Sequence, residues 1–366
     1  MAYATINDPS AHFQVKKYTG NGNSGHVITN GENSNLKPDF LWFKNISATE
    51  NNYLFNSTRG VSKRLYSDLN YAEGTNNASN FLQSFNTDGF TVGTDSSVNG
   101  TSNEITAAQW KANGGSTVTN SDGSITTYVQ ANQTAGFSIV QWTGTGANGS
   151  IGHGLGAAPE IVVVKSLSAN VQWMVGLGNA TQGFGAAGYD MAAGNGKYME
   201  WNDTKANTNP GSNNVWSTAL NPSSTVTYVG SSSSTNGTNG DGYIAFCFRS
   251  IRGYSYCGTF RGNNNNDGPF IYTGFKPKYV MIKPMDNISS WSWHDTSKSP
   301  HNEAREYTQY NSNNAAGSRS AFDILSNGVK IRTSDNDYNF NNGEMLIYAV
   351  AEMPLVATND VIATAR

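Results

Sequence analysis

The chain has 366 residues and a formal net charge of −3; 13% of its residues are charged, 11% are aromatic and 39 are glycine. The aromatic content and the low net charge exclude an intrinsically disordered chain, because such chains lack the apolar residues needed to build a core. The absence of a basic surplus argues against nucleic-acid binding, since phosphate contacts require a concentrated positive face.

Residues 1–10 are predicted to form an N-terminal arm. The stretch "MAYATINDPS" has neither a basic region nor an apolar run, so no signal peptide is predicted. No segment approaches the roughly eighteen consecutive apolar residues of a membrane-spanning helix, which argues against membrane insertion. We therefore expect the protein to be made in a cytoplasm; if it works outside, something other than a signal peptide takes it there.

A segment that begins at a proline and ends at a lysine occurs three times. The three segments are Pro38 to Lys44, Pro159 to Lys165 and Pro277 to Lys283, with the prolines 121 and 118 residues apart. Each contains a run of β-branched and aromatic residues, typical of a strand that is buried on both faces. Proline is predicted to give each strand a rigid entry and lysine to end it in water. These six residues define an internal repeat and are predicted to be structural.

The other landmarks of each repeat follow in one order. A glycine-rich segment such as "YTGNGNSG" precedes the proline, and an aromatic segment such as "NNYLFN" follows the lysine. Each unit then closes with a glycine-led strand pair, predicted to be a hairpin, as in residues 326–355. Helical periodicity is nearly absent, and only residues 72–85 are predicted to hold one short helix.

The predicted fold is therefore all-β, with three tandem β-sandwich units that are jelly-roll-like. The units are predicted at residues 11–115, 135–252 and 253–356. Residues 116–134 are predicted to form a linker or a long hairpin, and residues 357–366 a C-terminal tail.

Few residue patterns indicate a metal or a cofactor. The five histidines are scattered, and Cys247 and Cys257 have no partner at ligand spacing, so no metal site is predicted and both thiols are expected to be reduced. Asp335 and Asp337 resemble part of a calcium loop, but the terminal glutamate is missing and turns at loop tips explain them as well. The glycine-rich runs are predicted to be turns, because no helix follows them as in a phosphate-binding loop.

One aromatic cluster is a candidate ligand site. Trp291 and Trp293 are predicted to point to the same side of a strand, and His294 and Asp295 follow directly. An aromatic face beside hydrogen-bonding groups suits the apolar side of a pyranose ring. The alternative is that these tryptophans fill a core or a subunit contact, since small sandwiches need large aromatic residues in their interior.

No enzymatic activity is predicted. Glycosidases need two carboxylates held at a fixed separation, and pairs such as Glu200 with Asp203 are present but are not distinguished from other acidic pairs. The Gly-x-Ser-x-Gly motif of a hydrolase nucleophile does not occur in the chain. No cofactor is predicted.

Two motif series resemble a known family. "YTGNGNSG" followed by "LKPDFLWFKN", and "SNGVKIRTSDNDYN" followed by "NNGEMLIYAVAEMP", are similar to the repeated domain of tail-fibre-like virion structural proteins of marine and other tailed bacteriophages. The similarity covers nearly the whole chain and is weakest in the middle unit, where "VVKSLSANVQWM" and "DGYIAFCF" still match. The closing motif departs from the family pattern at Val329, where phenylalanine is expected.

The resemblance implies a virion component made in a bacterial host. Its implied function is a tail-fibre-like or adhesin-like attachment protein that exposes polar loops to host-surface glycan. Expected partners are other copies of itself, in a homotrimer, and other tail or capsid proteins of the phage. A capsid decoration or head-fibre protein that stabilises the shell is the alternative, and a glycan-degrading tailspike is a third reading.

Overall fold

The computed structural model describes residues 4–75, 77, 79–178, 190–192, 196–209, 211–217 and 220–356. In this part of the chain, regular structure is almost entirely β, which confirms the all-β prediction. Its helices are the 3₁₀ turn Pro9–Ala11 and two four-residue α-helices, α1 (Ser96–Asn99) and α2 (Asn336–Asn339). None of these helices is long and apolar enough to cross a membrane. The tail predicted at 357–366 lies outside the described residues.

Strands are numbered in chain order, and the first large sheet has six of them. Its order is β1 (Phe13–Thr19), β9 (Glu104–Trp110), β3 (Phe40–Asn45), β4 (Tyr53–Asn56), β5 (Gly60–Tyr66) and β6 (Gly74–Thr75). A small sheet of β2 (His26–Ile28), β8 (Phe90–Val92) and β7 (Leu82–Phe85) accompanies it. The helix predicted within 72–85 is wrong for the described residues of that segment, which contain β6 and β7 and no helix.

The second large sheet has seven strands. Its order is β10 (Val118–Asn120), β11 (Thr127–Asn132), β12 (Phe137–Thr143), β18 (Gly242–Phe248), β14 (Ile161–Ser166), β15 (Met174–Leu177) and β16 (Met199–Glu200). Its small companion pairs β13 (Gly149–Gly152) with β17 (Val226–Val229). The segment predicted as a linker or hairpin, 116–134, contains β10 and β11, which pair with each other.

The third large sheet has eight strands. Its order is β19 (Ser255–Arg261), β26 (Glu344–Pro354), β21 (Phe275–Pro284), β22 (Ser292–Asp295), β23 (Ala304–Gln309), β24 (Gly317–Leu325), β25 (Gly328–Ile331) and β20 (Phe270–Tyr272). All its pairings are antiparallel. Four neighbouring strands therefore occur in matching order in the three large sheets: β1-β9-β3-β4, β12-β18-β14-β15 and β19-β26-β21-β22.

The closing strand pairs are not hairpins, contrary to the prediction. In the third sheet, β25 pairs with β24 and β20, whereas β26 pairs with β19 and β21. Between β25 and β26 the chain passes through α2, whose N-cap Asp335 accepts a hydrogen bond from the backbone of Asp337. The capped turn leads the chain away from β25 to a position between β19 and β21, so alternation alone could not give the pairing partner.

The strands predicted to be buried on both faces have two cores to fill. In β3, Phe40 and Trp42 belong to a core shared by all three large sheets, whereas Leu41 and Phe43 belong to a core confined to the first. The same alternation holds in the other two strands: Ile161 and Val163 against Val162 and Val164, and Tyr279 and Met281 against Val280 and Ile282. Because successive strand residues face opposite sides, an uninterrupted apolar run is needed where both sides are dry.

The shared core is built mainly of aromatic rings. Phe40 of the first sheet stacks on Phe246 of the second with ring centroids 4.4 Å apart, and Trp42 contacts Tyr310 of the third at 3.7 Å. An apolar void of about 20 Å³ lies among these rings, which is room for about one water molecule. The three large sheets are thus packed around one interior rather than strung in a row.

Candidate functional site

The three repeat lysines are completely buried, so the prediction that they end their strands in water is wrong. Each lysine Nζ donates hydrogen bonds to backbone carbonyls. Lys165 Nζ reaches the carbonyls of Asn70 at 3.2 Å, Ala169 at 3.1 Å and Val171 at 2.8 Å. An ammonium group has three donors and no acceptor, so three converging carbonyl oxygens satisfy it in a dry site.

The other two lysines make corresponding contacts. Lys44 Nζ donates to the carbonyls of Glu50 at 2.6 Å and Asn313 at 2.9 Å. Lys283 Nζ donates to those of Thr204 at 3.1 Å and Ser289 at 2.8 Å, with a longer contact to Asn287 at 3.4 Å. In each case some of the carbonyls belong to the loop that follows the lysine's own strand, and one belongs to a neighbouring sheet.

These cross-contacts close a ring. The first sheet's Lys44 holds a loop of the third sheet, Lys283 of the third holds a loop of the second, and Lys165 of the second holds a loop of the first. Heterologous contacts that return to their starting point form a closed cycle with no contact surface of this kind left over. The lysines therefore lock the three sheets around the shared core.

Burial shifts the pKa of all three lysines downward, because removing the ammonium from water disfavours its charged form. Desolvation lowers the pKa of Lys165 and Lys283 to about 7. It lowers the pKa of Lys44 to about 8, where the nearby carboxylates of Asp68 and Glu50 oppose the shift. None of these groups is within reach of solvent, so we assign them a structural role.

The repeat prolines lie at the opposite ends of the same strands. Pro38 and Pro159 each come two residues before β3 and β14, where the proline ring sets the entry to the strand. Pro277 lies inside β21, at a point where the register against β26 shifts. Proline within a strand is found at such irregularities, because it cannot donate to the ladder.

The glycine-rich loops are pinned from inside by buried asparagines. Asn99 accepts from the backbone nitrogen of Asn21 at 2.9 Å and donates to the carbonyl of Asn23 at 2.8 Å. Asn339 does the same for the loop at 263–265, with distances of 2.7 and 2.8 Å. Asn236 holds Thr145 and Ala147 in the second sheet. These loops are thus turns whose conformation is fixed by a buried side-chain amide. The amide supplies hydrogen-bond partners to backbone groups that have none within the turn.

The residues predicted to bind a ligand, Trp291, Trp293, His294 and Asp295, are at most 1% exposed. Trp291 and Trp293 face the shared core, as predicted for two residues on one side of a strand. His294 Nε2 lies 2.8 Å from the Tyr338 hydroxyl on the other side. A sugar cannot reach these groups in this structure, and the alternative reading of the tryptophans as core residues fits their burial.

Asp295 forms an ion pair with a lysine three residues later in the chain. Its carboxylate lies 3.2 Å from Lys298 Nζ, and both side chains are fully buried. Lys298 Nζ also lies 3.6 Å from the centroid of the Trp293 ring, within range of a cation–π contact. The pair is therefore part of the interior.

The acidic loop considered for calcium is paired with an arginine. Arg319 lies 2.8 Å from Asp335 and 2.5 Å from Asp337. Within the described part of the chain no group of three or more His, Cys, Asp or Glu side chains could hold a metal ion. Cys247 and Cys257 are free and buried, in agreement with the prediction of reduced thiols.

A surface groove at the end of the third sheet opposite Lys283 combines aromatic and cationic side chains. Its volume is about 570 Å³, and Arg252, Tyr256 and Tyr272 line it together with small serine, threonine and glycine residues. The Tyr272 side chain is 52% exposed and Arg252 is also exposed. We call these three residues, with the adjoining Phe270, the aromatic groove.

Sequence reasoning missed the aromatic groove because it treated "NDGPFIYTGF" only as a repeat landmark. The available signal was the alternation of Phe270, Ile271 and Tyr272, which predicts two rings on one side of a strand and an aliphatic residue on the other. Arg252 lies in the connection between β18 and β19, and Tyr256 lies in β19 itself. Only the fold brings these two residues near Tyr272.

The chain was compared with protein-family models, with curated proteins and with solved structures. The family model described as "Domain of unknown function (DUF7483)" matches residues 8–354. No curated protein and no solved structure matches the chain.

Proposed function

The chain belongs to the DUF7483 family over nearly its whole length, and for this member we propose a non-enzymatic role as a bacteriophage virion protein that attaches to host-surface glycan. The observation that carries the proposal is that buried and exposed polar residues have different roles. The charged groups of the interior hold loops and sheets in place, while exposed asparagine, serine and glycine loops cover the outside. Such a body presents a fixed polar surface for many weak contacts, which a particle multiplies through its copy number.

We propose that the body consists of three repeated sandwich units at 11–115, 135–252 and 253–356, which arose by duplication. The matching order of four neighbouring strands in the three large sheets supports this. The ring of Lys44, Lys165 and Lys283, in which each lysine holds the next unit, supports it as well. The homotrimer inferred from the sequence stays a prediction; it would have to use outer faces, because the inner faces of all three sheets meet in the shared core.

The two ends of the body differ in a way that suits attachment by one end. β21 has ten residues, so its ends lie roughly 33 Å apart at about 3.3 Å per residue. The aromatic groove lies at the end where β21 begins, and the loops bound by Lys165 and Lys283 lie at the other. There Tyr71 is 52% and Ile288 is 73% exposed.

The exposed Tyr71 and Ile288 favour a second candidate function. Apolar side chains at one end of a body suit a contact with another protein, such as a tail or capsid subunit. A capsid decoration protein would use this end to clamp shell subunits, whereas an attachment protein would use it as an anchor and leave the opposite end free.

The test is to locate the chain on phage particles that encode it. Gold-labelled antibody raised against the purified chain should bind the tail tip of intact particles if the chain is an attachment protein, and the shell if it is a decoration protein. Purified chain should also bind host cells in the first case and DNA-filled heads lacking this protein in the second. Absence of the chain from purified particles would refute both versions.

A further inference from the structure

The outer strand β20 exposes two aromatic rings on one side. Phe270 is 46% and Tyr272 is 52% exposed, while Ile271 between them is 4% exposed and packs in the core of the third sheet. Alternate residues of a strand face the same way, so the two rings lie roughly 7 Å apart along it. Exposed aromatic surface of this size is costly in water, which raises the question of what it serves.

The first sheet provides an internal comparison. In β2 and β20, Ile28 pairs with Phe90 and Ile271 pairs with Val329 at corresponding positions. The preceding glycines, Gly89 and Gly328, fit against the carbonyls of Ile28 and Ile271 so closely that a Cβ would lie 2.0 Å from the oxygen in both cases. The two strand pairs are therefore built alike.

The residues that flank these isoleucines differ between the two strands. In the first sheet they are Val27 and Thr29, and in the third they are Phe270 and Tyr272. Since β2 forms the same pairing with Val27 and Thr29 at these two positions, the fold does not require the two rings. They are an addition to the third sheet.

Glycines shape the floor of the aromatic groove. The Tyr256 ring lies over Gly258, where a Cβ would be 2.5 Å from the phenol oxygen, so only glycine lets the ring lie down along its strand. Gly253 and Gly274 line the groove with φ of +76° and +80°, a conformation that glycine adopts without strain. The volume of about 570 Å³ is within the usual range for small-molecule sites.

The groove also contains hydrogen-bonding groups. The hydroxyls of Ser255 and Thr273 donate to the carbonyls of Arg249 and Phe275, so they belong to the protein's own network. Arg252 and Tyr272 likewise make contacts within the protein. The Arg252 guanidinium and the Tyr256 phenol line the groove, and both carry hydrogen-bond donors. No carboxylate is among the described residues that line the groove, so the pair of acids that glycoside hydrolysis uses is not supplied there.

We propose that the aromatic groove binds a pyranose unit of a polysaccharide, with Tyr272 and Phe270 stacking on the apolar faces of successive sugars. Arg252 and the Tyr256 phenol contact the hydroxyl edge, and the ligand leaves unchanged. Aromatic rings spaced along a strand match a linear polymer better than an isolated monosaccharide. This inference rests on the proposed function and names the surface that would carry it.

The test uses saturation-transfer NMR on the full chain with methyl glycosides of glucose, galactose, N-acetylglucosamine and glucuronic acid. At least one glycoside should receive saturation from the wild-type protein, and Tyr272→Ala should reduce the transfer at least five-fold. Tyr128→Ala is the matched control, because Tyr128 is 53% exposed on β11 of the second sheet; it should leave the transfer unchanged. Phe270→Ala should weaken binding of a tetrasaccharide more than that of a monosaccharide.

Transfer that is absent for all four glycosides, or equal in wild type and Tyr272→Ala, overturns the inference. Binding of the labelled chain to host cells separates it from the proposed function. Wild type and Tyr272→Ala binding cells equally well would place the attachment surface elsewhere and leave the function standing. Sugar binding by a chain that is absent from phage particles would support the sugar-binding groove and refute the proposed function.

Discussion

Replacing Lys165 by methionine removes an ammonium group from the ring of buried lysines while keeping most of the apolar stem. Three carbonyl oxygens, those of Asn70, Ala169 and Val171, lose their donor. At about 1 kcal/mol per hydrogen bond, with three bonds donated by the ammonium form and two by the neutral amine, the free energy of unfolding should fall by about 2–3 kcal/mol at pH 7. One of these carbonyls belongs to the first sheet, so the loss also loosens the contact between the first and second sheets.

The pH dependence distinguishes loss of the ammonium from loss of packing. The pKa of Lys165 is about 7 in the folded chain against an ordinary value of 10.5. Between these values the unfolded chain binds a proton that the folded chain has released, so this lysine makes stability rise with pH, by up to about 1.4 kcal/mol per pH unit. Below pH 7 both states are protonated and the contribution to the slope disappears.

The assay is urea unfolding of wild type and Lys165→Met at several values between about pH 7 and pH 9. The wild type should gain about 2 kcal/mol over this range relative to the variant, since the other titrating groups are common to both. Lys37→Met is the control: Lys37 is exposed and donates to a single carbonyl, that of Gly114, at 3.2 Å. It should change stability by less than about 0.5 kcal/mol. A Lys165→Met variant as stable as wild type, or one with the wild-type pH slope, would refute the interlock.

Three further perturbations test other parts of the structure. Lys298→Met should cost about 3–5 kcal/mol of unfolding free energy, because it leaves the buried Asp295 carboxylate without a positively charged partner. Adding Asp295→Asn should recover part of the loss in urea titrations, and no recovery would contradict the pairing. Asn339→Ala should cost about 2 kcal/mol and speed amide hydrogen exchange at residues 263–265, whereas unchanged exchange would show that the loop is held otherwise. Gly253→Ala should lower the melting temperature by several degrees, because φ is +76° and the new Cβ would lie 2.7 Å from that of Ala4; an unchanged melting temperature would contradict this geometry.

Much of the local structure followed from the sequence. The runs that start near Pro38, Pro159 and Pro277 are strands buried on both faces, because period-two geometry allows a continuous apolar run only where both sides are dry. The absence of helical periodicity likewise predicted an all-β chain. The pairing of the closing strands did not follow, since alternation describes one strand and says nothing of its neighbour.

The lysines and tryptophans show which contacts could not be predicted from the sequence. A lysine at the end of an apolar run is usually at the surface. Here its burial is made tolerable by carbonyls of the loop that follows its own strand together with a carbonyl of another sheet, which is distant in sequence. Trp291 and Trp293 were correctly placed on one side of a strand, but whether that side met a ligand or a core depended on two other sheets.

The sequence by itself determined that the three proline-to-lysine runs are extended and apolar on both faces, because those properties depend on neighbours in the chain. Tertiary structure alone decided that the three sheets enclose one aromatic interior, that the repeat lysines join them in a ring, and that Phe270 and Tyr272 remain outside. Each of these outcomes depends on groups far apart in sequence, and a carbonyl or ring supplied by another sheet leaves no trace in the local residue pattern.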